Sequence, residues 1–359
     1  MSVISTITTI TRTARSRSLG MVVARRLLLV PVVLLAVITV VFFAMRLIPG
    51  SPATTLGVAG AQGLSSKEIQ DNIAHLNATL GLNRPLWLQY VSYLSAVGHL
   101  DLGYSFFGNN TVLALLKNTL PATIELVVTA MIIAVVLGVV TGVIAATRRG
   151  SKIDSLILSL ATVSFSLPWF ALGVLGIIVF GVQLHLLPVL GRLPNTLNYQ
   201  PTTNFVLLDA ILQNRPDLIG PWLIHLILPA VTLAISMAGF ITRMVRASVL
   251  EVLGDDFIRT ARMKGLGERR IMTGHVFRNS SLPVVTVLGL QFGSLLGGSV
   301  ITETVFSYPG VGNLLVNAVN QKDYLLVQGA VLAVATLFIL TNLVVDILVL
   351  VLDPRLRKA

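Results

Sequence analysis

The residues best placed for chemistry sit in one stretch, Asp255 to Arg270, which reads DDFIRTARMKGLGERR. Charged residues are only 11% of the chain, yet they crowd this stretch, and long apolar runs lie on either side of it. Arginines and lysines at this density suit charge-assisted contact, either with anionic lipid headgroups or with a soluble protein partner. The usual catalytic sets are missing. There is no G-x-x-x-x-G-K-[ST] phosphate loop, no nucleophile elbow, no H-E-x-x-H and no paired carboxylates in a plausible soluble site. The chain has no cysteine, which removes thiolate catalysis, disulfides and Cys-based metal sites. Its histidines (His75, His99, His185, His225, His275) are scattered without ligand spacing, so no metal and no cofactor is expected.

The stretch has to be carried by helices. Phe257, Ala261 and Lys264 fall roughly on one side of a helical projection, with Asp255, Arg259 and Arg262 elsewhere. Glu251 through Lys264 reads as one short helix, ended by Gly265 and Gly267, since glycine commonly follows a helix end. ERRIMTGHVFRN reads as a second helical piece leading to Pro283. The glycines beside an exposed Phe257–Ile258 pair suggest a protruding knob. Two readings stand at this level: an interfacial helix on anionic lipid, or a docking element for a soluble partner.

With 54% apolar residues in 359, the chain carries more apolar surface than a soluble core hides, so the bilayer is the expected solvent. A spanning helix needs about 20 apolar residues. Six segments qualify: Leu27–Met45, Leu126–Thr147, one within Ser155–Leu184, one within Leu218–Thr242, about Leu282–Thr302, and Tyr324 to about Leu350. Of 26 basic residues, nineteen fall on one side of this six-span arrangement. They lie in the N-terminal tail, at Arg148, Arg149 and Lys152, from Arg243 to Arg278, and at the C-terminus. The excess of basic residues on cytoplasmic loops then puts both termini in the cytoplasm. It also argues against nucleic acid as the partner for a net charge of +11, because no folded soluble domain carries it. The expected fold is an all-α integral membrane protein with six transmembrane helices. Its parts are a cytoplasmic tail (1–24), transmembrane helix 1 (25–49), an external loop with short helices (50–120), a five-helix core (121–352) containing a cytoplasmic loop (249–280), and a cytoplasmic tail (353–359).

Within the external loop, Ser65 and Glu68 have capping-box spacing, and Ile69, Ile73, Leu76 and Leu80 share a helical face. A second helix is expected from Pro85. These helices either pack on the membrane and the spans or form a platform for an external partner. Gly138 and Gly142, and Gly289, Gly293 and Gly297, have the spacing that lets helix backbones approach in lipid. Ionisable groups near span centres are few. Glu125 and Glu303 lie near external ends and Asp346 near a cytoplasmic one. Ion-coupled carriers ordinarily need such groups at mid-membrane, so uphill transport would draw its energy from another chain.

The motifs RTARMKGLGERR and HVFRNSSLPVVT resemble the cytoplasmic loop of bacterial ATP-binding-cassette importer permeases, of the dipeptide/oligopeptide branch. In order along the chain, RLIPGSP, LGLNRPLWLQY, DLGYSF, LPATIEL, HLILPAVTLAI, ETVFSYPGVGNLL, DYLLVQG and LDPRLR agree with it. The resemblance runs from about residue 22 to the end. It implies a type I importer permease fold in the bacterial inner membrane. The function implied is that of a peptide-importer subunit forming half of the translocation pathway, with ATPase activity in other chains and none here. It implies as partners a second homologous permease, two cytoplasmic ATP-binding-cassette ATPases, an external substrate-binding protein and membrane lipid. The docking residues carried over are Asp256, Phe257, Ile258, Arg259, Thr260, Ala261, Arg262, Lys264 and Gly265, the coupling helix. Where the general importer motif has Glu-Ala-Ala and Gly, this chain has Arg259-Thr260-Ala261 and Gly265. The alternative function is an ion-coupled secondary transporter, and the particular substrate stays open. The orientation predicts that a reporter fused after Ala359 is active only in the cytoplasm; activity only outside overturns it.

Overall fold

A computed structural model describes residues 19–352 except 48–49, 60–64, 109 and 195. The N-terminal tail, Ile48 and Pro49 of RLIPGSP, and the end of LDPRLR lie outside the described residues, as does the side chain of Asp346. Lipid offers no partner to a bare amide, so an apolar chain in it satisfies its backbone internally as helix. Among the described residues the only β pairing is one isolated bridge, Tyr104 to Thr111.

The helices are α1 Leu19–Leu47, α2 Pro52–Ala59, α3 Ser66–Thr79, α4 Leu86–Gly98 and α5 Val112–Thr147. Next come α6 Lys152–Ser166, α7 Trp169–Gly176, α8 Val206–Leu212, α9 Ile219–Leu253, α10 Asp256–Met263 and α11 Glu268–Ile271. The last are α12 Phe277–Val305, α13 Val311–Gln321 and α14 Tyr324–Leu352. Among the described residues, five helices are long and apolar enough to cross a membrane, and the bent pair α6–α7 with its π-helical extension makes six if it counts as one broken span. Five of the six expected spans are present as continuous helices, and there are two differences from expectation. The third is broken by 98° rather than continuous. Pro168 excludes the helical conformation from Leu167, which is extended at φ −84°, ψ 133°. The second begins at Val112, inside the expected external loop, where the Thr111 hydroxyl caps it by accepting from the Ala114 amide at 3.2 Å.

Packing centres on α9. Of its most apolar window 61% is buried inside the protein, against 17% for α1, so α1 is peripheral. α5 lies along α9 at the small residues. A Cβ at Gly142 would meet the Thr242 carbonyl oxygen at 2.8 Å, and one at Gly138 would meet Ile241 Cβ at 2.5 Å. Thr141 and Thr242 hydroxyls bond across the same seam at 2.8 Å. α6 approaches from the other side, where Gly239 leaves 2.5 Å to the Ala161 carbonyl oxygen. Of the second glycine series, Gly289 and Gly293 face Val345 and Phe338 of α14, whereas Gly297 faces open space.

α4 leans on α1, with Phe42 fully buried between the Tyr90 and Tyr93 rings. The expected capping box at Ser65 and Glu68 starts α3, and Ile69, Ile73, Leu76 and Leu80 are its half-buried apolar face. Gly142→Val forces α5 and α9 apart and costs about 1–3 kcal/mol, the usual range for overpacking. Thermal unfolding in detergent should fall for this variant and stay unchanged for Gly297→Ala; equal melting of the two would refute the seam.

Candidate functional site

The charged stretch forms a small compact element at the end of α9. The helix stops at Leu253, and after Gly254 and an extended Asp255 (φ −68°, ψ 147°) a new helix, α10, begins. The expectation of one helix from Glu251 to Lys264 is thus corrected. The chain turns at Gly254–Asp255 because burial of one α10 face sets its direction. Ile258 is fully buried and Ala261 nearly so, against a core that includes Val252, Ile271 and Val276. The expected exposed Phe257–Ile258 pair is likewise corrected, since only Phe257 is exposed, at 42%. Asp256, Arg259, Thr260, Arg262, Met263, Lys264 and Gly265 all face outward.

The end of α10 is shaped by Gly265, in the left-handed region at φ +76°. Its amide donates to the Arg262 carbonyl at 2.9 Å, and the Leu266 amide donates back to Ala261 at 3.2 Å. These satisfy carbonyls that a helix end otherwise leaves bare. Arg262 then reaches forward to Glu268 at 2.7 Å and holds α10 to α11. Its hydrogen bond holds the Glu268 carboxyl below its ordinary pKa. Both partners are exposed, so the pair orients more than it stabilises. From α11 the chain passes through a π-turn, Met272–Val276, straight into α12. Ser248 of α9 donates to the Ser280 carbonyl of α12 at 3.0 Å. Two turns before the α9 end, Arg246 forms a two-pronged pair with Asp154 at 2.7 and 2.8 Å, and Asp154 also accepts the Gly150 amide. α10 is therefore an outward basic face held by the burial of Ile258 and Ala261 in the core that includes Val252, Ile271 and Val276.

At the opposite end, two carboxylates that lay near helix ends in the sequence are buried organisers. Glu303 accepts from the Thr123 hydroxyl at 2.8 Å and from the Gly312 and Asn313 amides at 2.6 and 3.1 Å. Thr123 accepts the Val311 amide at 2.8 Å. Together they satisfy the first amides of α13, where a negative charge is favoured. This explains YPGVGN physically: the carboxylate lies where a Cβ of Gly310 would have to go. Glu125 accepts from Arg192 at 2.5 and 3.0 Å, from the Val206 amide at 2.7 Å and from Trp222 at 3.0 Å. It so fastens the long 184–218 connection onto α5 and α9. Asp323 accepts from Ser105 at 2.6 Å and from the Leu326 amide at 3.1 Å, which brings the DLGYSF and DYLLVQG motifs together. Sequence reasoning missed these roles. The available signal was an isolated acid in an otherwise uncharged segment.

Comparison with known proteins places this arrangement in a class. Residues 138–358 match the family model described as binding-protein-dependent transport system inner membrane component. Residues 19–127 match the N-terminal model of such membrane components. The chain belongs to this family, and is a multi-pass inner-membrane protein. It is 42% identical over 338 residues to the dipeptide transport system permease protein DppB of Escherichia coli K12, covering 93% of this chain and 98% of that one. It is 40% identical over 337 residues to the di/tripeptide transport system permease protein DppB of Pseudomonas aeruginosa UCBPP-PA14, with the same coverage. Among solved structures, a chain of the MetNI methionine ABC transporter in inward-facing conformations matches with a TM-score of 0.50. That match has 18% identity and covers 67% of this chain and 97% of that one; it shows the shared permease fold.

The buried Glu125–Arg192 pair makes a stability prediction. Arg192→Ala strands the carboxylate and should cost about 3–5 kcal/mol, read as a lower melting temperature. Glu125→Ala combined with Arg192→Ala should cost clearly less than the sum of the single changes. Simple additivity would show the pair to be uncoupled.

Proposed function

We propose that this chain is a permease subunit of an ATP-driven importer of short peptides, contributing half of the translocation pathway. It performs no catalysis itself. ATP is hydrolysed by two cytoplasmic ATPase subunits, a second homologous permease completes the pathway, and an external binding protein delivers the substrate. Both termini and the α10 element face the cytoplasm. Peptide as cargo is supported by the high identity, over nearly full length, to relatives named as dipeptide and di/tripeptide permeases.

The observation that carries the reading is the build of α10. Asp256, Phe257, Arg259, Thr260, Arg262, Lys264 and Gly265 form a face open to a partner, while Ile258 and Ala261 are buried in the core that includes Val252, Ile271 and Val276. A groove on an ATPase that moves as its subunits close would drag α10 with it. α9 and α12 would then tilt, shifting the bundle between its two access states. The family's general Glu-Ala-Ala pattern is replaced here by Arg259-Thr260-Ala261, so the first contact is a cation and the complementary groove is acidic. The ion-coupled alternative draws no support from the acids at the opposite end. Glu125 and Glu303 are each saturated with hydrogen bonds that hold the fold together.

The decisive experiment is a mild-detergent pull-down of the tagged chain with mass spectrometry, repeated with residues 255–270 scrambled. An ATPase should come down with the native chain and be lost from the scrambled one; its absence from both would sink the proposal. Gly265→Pro cannot adopt φ +76° and has no amide to give Arg262. It should abolish peptide uptake while the protein still inserts. Arg259→Glu with Lys264→Glu should do the same, because neither side chain holds α10 to the bundle. Normal uptake by a well-expressed variant counts against docking.

A further inference from the structure

The connection between α1 and α5 holds two helices of opposite character. α3 carries charge at Lys67, Glu68 and Asp71, and none of its residues is buried. α4, LWLQYVSYLSAVG, carries no charge at all. Charged residues return only beyond its two ends, at Arg84 and Asp101. Yet four of its large apolar side chains are open: Leu86, Trp87 at 65%, Leu88 and Val91. Val91 lies three residues after Leu88 and four after Trp87, so the three share one side of the helix. A contiguous apolar surface of this kind ordinarily marks contact with another phase or another molecule.

The other side of α4 fixes its depth. Gln89 accepts from Arg46 at 2.8 Å, near the end of α1. One turn further in, Phe42 meets the Tyr90 ring edge-on at 5.2 Å and Phe43 stacks on it at 5.8 Å. Another turn in, the Thr39 and Tyr90 hydroxyls bond at 2.8 Å. Thr39 gives its own proton to the Leu35 carbonyl at 2.7 Å, so Tyr90 is the donor. Ile38, Phe42 and Tyr93 form a buried cluster, and Leu94 and Val97 of α4 and Leu332 of α14 pack against it. Thr39 lies eight residues inside the Leu28–Leu47 span, and Leu332 eight residues inside Tyr324–Val345. At about 1.5 Å per residue, both contacts are about 12 Å from the span ends. The Leu28–Leu47 span has 20 residues, about what the hydrocarbon core requires, so its end has little room to protrude. The polar tips of Gln89 and Tyr90 are also satisfied within the protein, as lipid demands: the Gln89 amide donates to the Leu82 and Arg84 carbonyls. Finally, Phe43 and Val40 are themselves open, so the exposed apolar surface of α1 runs up to α4.

We propose that α4 is immersed in the membrane, in the leaflet at the end of the bundle opposite α10, and that lipid covers Leu86, Trp87, Leu88 and Val91. Trp87 is then an anchor at headgroup level, where tryptophan is favoured. Arg84 and Asp101 mark where the chain leaves the apolar layer on either side. The test uses the full chain in nanodiscs of phosphatidylethanolamine and phosphatidylglycerol. Because the chain has no cysteine, Trp87→Cys and Val91→Cys each take a single nitroxide label. Both side chains are exposed, so neither substitution removes core packing. Collision of each label with oxygen, which concentrates in lipid, and with a water-soluble nickel chelate is read by power-saturation electron paramagnetic resonance. Val40→Cys on the open side of α1 gives the lipid reference, and Lys67→Cys on α3 the aqueous one. The labels at 87 and 91 should follow Val40→Cys, with an oxygen-to-nickel ratio severalfold above that at 67. A ratio like that at 67 places α4 in water and overturns the proposal. Shielding from both reagents does so too, since it shows that protein covers this face and that α4 is a platform for a partner or a second copy of this chain.

Discussion

A charge taken out of water has to be paired, and much of the bundle is organised around places where that happens. Glu303, Glu125 and Asp323 sit at one end of the spans and Asp154 at the other. Each is buried, and each accepts hydrogen bonds from a different chain segment. Hydrophobic attraction does not bring helices together in lipid, because lipid tails are as apolar as leucine. Close packing at glycine supplies contact between α5 and α9. The buried acids supply what packing cannot, a unique register between spans and the connections outside them. A carboxylate with its donors removed has no cheap alternative position.

The two ends use this constraint differently. At the Glu303 end the acids are met largely by backbone amides and by residues far away in sequence, which makes that end a fixed frame. At the α10 end, among the described residues, the ion pair with a buried carboxylate is Asp154 with the half-buried Arg246. Beyond it the chain is held by two buried apolar side chains and an exposed pair, Arg262–Glu268. The proposed docking at α10 would act on the end that is held by fewer buried polar ties.

The broken third span shows how local chemistry shapes the bundle. Pro168 ends α6 and redirects the chain by 98°. A short helix and a π-helical segment come next, and then a long connection tied down by Arg192 and by Asp209, which gathers Tyr199, Thr202 and Thr203. Irregular backbone at membrane depth is tolerated where protein covers it or where it borders a cavity. Here the ties explain how so little regular structure stays in place.

The long apolar spans, the capping box at Ser65, the glycine stop at Gly265 and the family were all legible in the sequence. Each rests on local spacing or on ordered motifs, and local spacing is what a sequence records. The break at Gly254–Asp255 was not legible, nor was the burial of Ile258. Both depend on what lies across from α10, namely Ile271 and Val276, whose position is set only by the return of α11 and α12. The roles of Glu125, Glu303 and Asp323 were hidden for the same reason. Their partners lie 67, 180 and 218 residues away, and a charge near a helix end looks alike whether it meets water or a buried arginine. Sequence determined which segments would enter the membrane; tertiary structure alone decided which polar groups would meet there.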